Sequence, residues 1–94
     1  MVKHIVVYTL KEDIDKPNAI EIIRSALEPL VGVIPGLKHM EIRGTYQGDM
    51  DYALYSEFES REALAAYRNH PAHLEAKGKF HHFLNTRVAA DYEV

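Results

Sequence analysis

In the first ten residues, His4, Val6, Tyr8 and Leu10 alternate with Ile5, Val7 and Thr9, and this period of two predicts a strand. Neither set is plainly polar, so both faces of that strand call for cover. From Pro17 the period changes. Ile20, Ile23, Leu27, Leu30 and Val31 recur at helical spacing, with Glu21, Arg24, Ser25 and Glu28 between them, which predicts an amphipathic helix. Pro17 suits its first turn and Val33-Ile34-Pro35-Gly36 carries the stop signals. Pro29 falls inside the pattern, where a missing N–H predicts a bent or displaced last turn.

Leu37 to Gly44 reads as a second strand, with Met40 and Ile42 on one face and His39, Glu41 and Arg43 on the other. Tyr52 to Phe58 alternates again, and the short Gly48-containing connection between them predicts an antiparallel hairpin. Ser60 is a candidate N-cap for a helix whose inward stripe is Ala63, Leu64 and Tyr67. His70-Pro71 should break that helix and restart it, with the second piece running to about Leu84. Arg87 to Tyr92 closes the chain as a strand, with Val88, Ala90 and Tyr92 on one face and Arg87, Ala89 and Asp91 on the other.

The resulting order, βαββαβ, predicts an α+β, ferredoxin-like fold in which two helices cover one face of a four-stranded antiparallel sheet. With the even positions of the first strand facing the helices, Ile5, Val7, Ala53 and Tyr55 remain on a bare face. An apolar patch of that extent exceeds what monomers usually expose. Two sheets packed face to face about a two-fold axis would bury it, so a homodimer through the sheet faces, a dimeric α+β barrel, is expected. Glu57 shares that face by parity, and a carboxylate there needs a partner or a place at the rim.

The chain of 94 residues accommodates one domain, 1–94, and its 47% apolar and 27% charged content is that of a globular protein. Eleven basic against fourteen acidic residues, net −3, with no polybasic run, argue against nucleic acid as a partner. There is no cysteine, which excludes disulfides and thiolate chemistry and favours a cytoplasmic location. The first residues carry one positive charge and a short apolar stretch ending in Lys11-Glu12-Asp13, unlike a signal peptide. No apolar run approaches the roughly 18–20 residues that cross a bilayer, so no membrane association is expected.

Five separated markers carry a family resemblance: Val2-Lys3-His4-Ile5-Val6, Ile34-Pro35-Gly36-Leu37, Phe58-Glu59-Ser60, Tyr67-Arg68-Asn69-His70-Pro71-Ala72-His73, and Asp91-Tyr92. In this order and without large insertions, the chain resembles the stress-responsive α/β barrel domain family of the dimeric α+β barrel superfamily. The resemblance implies a homodimer of apposed sheets and a small-molecule pocket between sheet and helices. One plant polyketide cyclase of the family closes a ring by aldol chemistry without a cofactor, using a tyrosine and a histidine spaced as Tyr67 and His73 are here. On that likeness Tyr67 would polarise a carbonyl and His73 would take a proton α to it. The pocket would be lined by His4, Val6, Tyr8, Ile23, Leu27, Leu54 and Arg87, with no cofactor. Leu27 and Leu84 replace larger aromatics of the cyclase, which leaves the substrate open.

Other readings stand beside this one. Tyr67 and His73 could be a buried hydrogen-bonded pair bracing the break at Pro71, in a dimer whose assembly is its function. Arg87 could bind an anionic ligand or pair with a carboxylate at the sheet end. His70 and His73 have His-x-x-His spacing, but Pro71 interrupts the helix between them and no third ligand is fixed, so no metal site is assigned to side chains. Backbone carbonyls around Leu30 to Ile34, where some relatives hold magnesium, leave no side-chain signature. Sister families also include cofactor-independent monooxygenases, a reading that rests on the fold alone.

Overall fold

The computed structural model describes residues 1–94. Strand β1 (Val2–Leu10) leads to helix α1 (Lys16–Leu27), then come the β2 (Leu37–Gly44) and β3 (Tyr52–Phe58) strands. Two short helices, α2 (Arg61–Asn69) and α3 (Pro71–Gly78), precede β4 (Leu84–Glu93). The strands form one antiparallel sheet in the order β2-β3-β1-β4. This is the ferredoxin-like arrangement expected from the element order.

Local chemistry explains the boundaries. The Asp15 carboxylate accepts from the Asn18 N–H and caps α1, while Ser60 accepts from the Ala63 N–H at 3.1 Å and caps α2. Pro29 does more than bend the last turn of α1: the α-helix stops at Leu27, and Glu28–Leu30 tighten into a 3₁₀ turn. Val31 therefore leaves the apolar stripe and is exposed. At the second break, the His70 backbone ends α2 and its imidazole accepts from the Ala72 N–H, so one residue both terminates a helix and caps the next.

The end of that segment corrects the sequence reading. The helix stops at Gly78, His81–Phe83 form a 3₁₀ turn, and Leu84 is the first residue of β4 rather than the last of a helix. Leu84 pairs with Leu10 and packs against the core, but Thr86 pairs with Thr9. The extra residue, Asn85, is a bulge, and it lets Leu84 and Arg87 share a face despite their odd spacing. A similar irregularity at Lys38 puts both Leu37 and Met40 inside.

The core lies between the helices and one sheet face: Val2, Val6 and Leu10 of β1, Tyr52, Leu54 and Phe58 of β3, Ile42 of β2, and Ile23, Leu27, Leu64 and Tyr67 of the helices. Each large side chain buried there contributes about 1.5–3 kcal/mol. On the other face no helix lies over Ile5, Val7, Ala53 and Tyr55, and Val88, Ala90 and Tyr92 extend the strip across β4. Glu57 is matched on this face by the Lys3 ammonium at 2.7 Å and by the Tyr55 hydroxyl, which donates at 2.5 Å. Those two groups hold its carboxyl below the usual range.

Candidate functional site

Strand β4 lies at the edge of the sheet, and a pocket of about 290 Å³ opens beside it between the sheet and α2 and α3. Alternation along β1 sends His4 and Tyr8 into it, β3 adds Leu54, and β4 adds Arg87. From above, Leu27, Tyr67, Arg68, His73, Lys77 and Phe80 complete the lining.

Tyr67 and His73 stand on either side of the break at His70-Pro71. The break turns the chain so that their rings lie against each other, tilted by 34° with centroids 4.2 Å apart. They do not form the hydrogen-bonded pair considered from sequence. His73 Nδ1 instead lies 3.2 Å from the Arg68 carbonyl oxygen. A carbonyl can only accept, so Nδ1 carries the proton and Nε2 of the neutral ring is left as the base. Burial lowers the pKa of His73 from its ordinary value and keeps the ring neutral, the Arg68 contact opposing this.

The Tyr67 hydroxyl makes no hydrogen bond within the protein, and no fully buried polar side-chain atom lacks one. It therefore opens to the pocket although the residue as a whole is buried. Desolvation, and secondarily the neighbouring Tyr8, raise its pKa and hold it as a proton donor. Phe58 packs edge-on against the Tyr67 ring at 5.0 Å and fixes its plane.

His4 is also buried in the sheet, and its Nδ1 bonds to the Asp91 carboxylate directly across from it on β4. The other Asp91 oxygen receives Arg68 at 3.2 Å. Because a carboxylate accepts, the bonded Nδ1 of His4 carries a proton, which leaves Nε2 as the nitrogen without a protein partner. Asp91 thus orients one imidazole of the pocket and ties the helix behind the other to the sheet.

Of the residues singled out from sequence, the fold brings His4, Tyr8, Leu27, Leu54, Tyr67, His73 and Arg87 to one cavity. Val6 and Ile23 are not in its lining: both are fully buried and serve the core. Sequence reasoning passed over Arg68, Lys77, Phe80 and Asp91. Lys77 was within reach of it, being one helical turn beyond His73, and Asp91 shares its parity with Arg87. Arg87 makes no ion pair. No three His, Asp or Glu side chains converge as a metal site would require.

The chain is 32% identical to the stress-response A/B barrel domain-containing protein HS1 of Arabidopsis thaliana, over 98% of this chain and 88% of that protein. A dimeric protein of unknown function and ferredoxin-like fold from Bacteroides fragilis superimposes with a TM-score of 0.89 at 28% identity, covering 99% of this chain and 95% of that one. A hydroxynitrile lyase from Passiflora edulis shares the fold at a TM-score of 0.81 and 20% identity, over 97% and 90% of the two chains. The model of the stress responsive A/B barrel domain matches residues 2–94, so this chain belongs to that family.

Proposed function

We propose that the protein is a homodimer joined through its bare sheet faces, each copy carrying a pocket that binds a carbonyl compound and removes a proton α to the carbonyl without a cofactor. The observation that carries this reading is the pairing of opposite proton states in one cavity. Tyr67 is held as a donor and His73 as a neutral base with Nε2 free, their rings 4.2 Å apart. A carbonyl oxygen accepting from the Tyr67 hydroxyl gains stabilisation as enolate charge develops, while Nε2 of His73 takes the proton. His4, oriented by Asp91, supplies a second imidazole to the same space. Ring closure or carbon–carbon cleavage then depends on the ligand's own electrophile or leaving group. The fold shared with a hydroxynitrile lyase is compatible with such chemistry. Dimeric relatives of the same fold support self-association, and the half-buried apolar strip of Ile5, Val7, Ala53 and Tyr55 is the surface it would cover.

The test is solvent deuterium exchange at the methyl group of aryl methyl ketones, followed by proton NMR. The protein should accelerate exchange, with about 10²–10⁴-fold loss in His73→Ala and a marked loss in Tyr67→Phe while both variants remain folded dimers. Exchange no faster than in buffer across a panel of aryl methyl ketones and β-diketones would overturn the reading.

One contact favours a structural role instead: the His73 Nδ1 bond to Arg68 spans the helix break. On that reading the same substitutions lower the melting temperature and leave ligand exchange unchanged.

A further inference from the structure

Acidic residues outnumber basic ones by 14 to 11, yet the pocket described above has no Asp or Glu in its lining. Neither does an adjoining cleft of about 380 Å³, bounded by Tyr8, Lys11, His81, His82, Asn85 and Arg87 among others. Tyr8 and Arg87 line both, so the two spaces meet at these side chains.

The pairing of charges over the molecule makes this segregation informative. All but four of the Lys and Arg side chains form ion pairs. The four are Lys11, Lys77, Lys79 and Arg87, and three of them, Lys11, Lys77 and Arg87, border the pocket or the cleft. At the opposite end of β4 the pattern reverses: Arg61 meets Glu93 at 2.6 Å and Arg68 meets Asp91 at 3.2 Å across another hollow. One end of the strand is internally neutralised; at the other, Glu12 and Asp51 are taken up by Lys16, and Lys11 and Arg87 stand outside any ion pair.

The backbone holds those cations together. The Asn85 bulge turns Arg87 toward the helix side, opposite Tyr8. The Lys11 N–H donates to the Phe83 carbonyl at 3.0 Å, which fixes Lys11 beside the turn bearing His81 and His82. Unpaired cations gathered at one mouth repel one another, and an anion placed among them removes that repulsion.

We propose that Lys11, His81, His82 and Arg87 form an anion subsite at the mouth of the pocket, and that the ligand is a carbonyl compound bearing a phosphate-type dianion. The carbonyl end of this assignment rests on the pocket reading above; the anion end does not. A dianion suits the site better than a single carboxylate, because an exposed one-to-one ion contact is worth little, whereas several cations can share a phosphate's three outer oxygens.

Three probes test it by ¹H–¹⁵N NMR titration at low salt: 4-acetylphenyl phosphate, 4-hydroxyacetophenone and inorganic phosphate. The phosphorylated ketone should bind at least about tenfold more tightly than the neutral one, with shifts at the Tyr8, Asn85 and Thr86 amides, and added salt should erode the preference. Inorganic phosphate should shift the same amides. In Lys11→Gln/His82→Gln, which border the cleft and not the pocket, the preference should be largely lost while affinity for 4-hydroxyacetophenone stays; both side chains are exposed, and the spectrum itself reports folding. Equal affinity for the two ketones overturns the proposal, as does a preference that survives in the double variant or inorganic phosphate that leaves these amides unmoved. Phosphate binding at the mouth with neither ketone reaching His4 or His73 sustains the anion subsite and refutes the carbonyl pocket.

Discussion

Gly36 ends the loop that follows α1, at φ +85°, and a Cβ placed on it would stand 2.5 Å from the Ala63 Cβ of α2. Gly36→Ala therefore incurs two costs: about 1–2 kcal/mol for an L side chain at positive φ, and about 1–3 kcal/mol for overpacking a contact that cannot be accommodated in place. The expected destabilisation is about 2–5 kcal/mol. Gly32, at φ +90° with nothing within 4 Å, separates the two terms. Gly32→Ala should cost only the backbone part, about 1–2 kcal/mol. The overlap itself is isolated by Ala63→Gly, because the next nearest atom to the added Cβ is the Ala63 Cα at 3.7 Å, an ordinary contact. Ala63→Gly alone should cost about 1 kcal/mol of helix propensity. In the double variant about 1–3 kcal/mol of the Gly36→Ala penalty should return as favourable coupling. Urea unfolding of the four proteins measures the cycle. Equal losses at Gly32 and Gly36, or no coupling between Gly36 and Ala63, would refute the close approach of loop and helix. The approach also matters to the pocket, since Ala63 lies one turn before Tyr67 and the amide of Glu59 donates to the Gly36 carbonyl at 2.9 Å.

Two further outcomes follow from the same geometry. Burial lowers the pKa of His73 in the folded chain, so the unfolded chain takes up this proton first as pH falls. Its contribution to stability is complete above the ordinary imidazole value near 6.5 and declines as pH falls through that value toward the depressed one. Urea midpoints between about pH 7.5 and 5 should therefore fall less steeply in His73→Gln than in the parent protein; an unchanged slope refutes the buried, neutral assignment. On the bare sheet face, Val7 lies between Ala53 and Val88, and in the proposed dimer Val7→Lys would bury an unpaired ammonium in each copy. Sedimentation equilibrium should show the dissociation constant rising at least about a hundredfold, a loss of about 2.7 kcal/mol. A dimer of undiminished affinity would place the interface elsewhere.

Strand alternation, helical spacing and capping residues determined most of the fold, because these signals act within a few residues of one another. Ser60 caps α2 and His70-Pro71 splits the second helix as their local chemistry requires. Alternation along β4 was enough to put Arg87 on one face with Ala89 and Asp91, and pairing with Tyr8 decided that this face is the helix side. What local pattern could not supply was anything that depends on register. The Asn85 bulge, which starts β4 at Leu84, arises where Leu10 and Leu84 both seek the core across a strand pair joined only in the fold. Val6 and Ile23 carry the same apolar character as the pocket residues, and only packing decides that they are walled off from it. Asp91 has no motif in common with His4, 87 residues away, yet antiparallel pairing sets them opposite each other. The proton states of Tyr67 and His73 also belong to the tertiary structure. Spacing put the two residues near one break, but burial raises the pKa of the one and lowers that of the other, and the Arg68 carbonyl sets the proton of His73 on Nδ1.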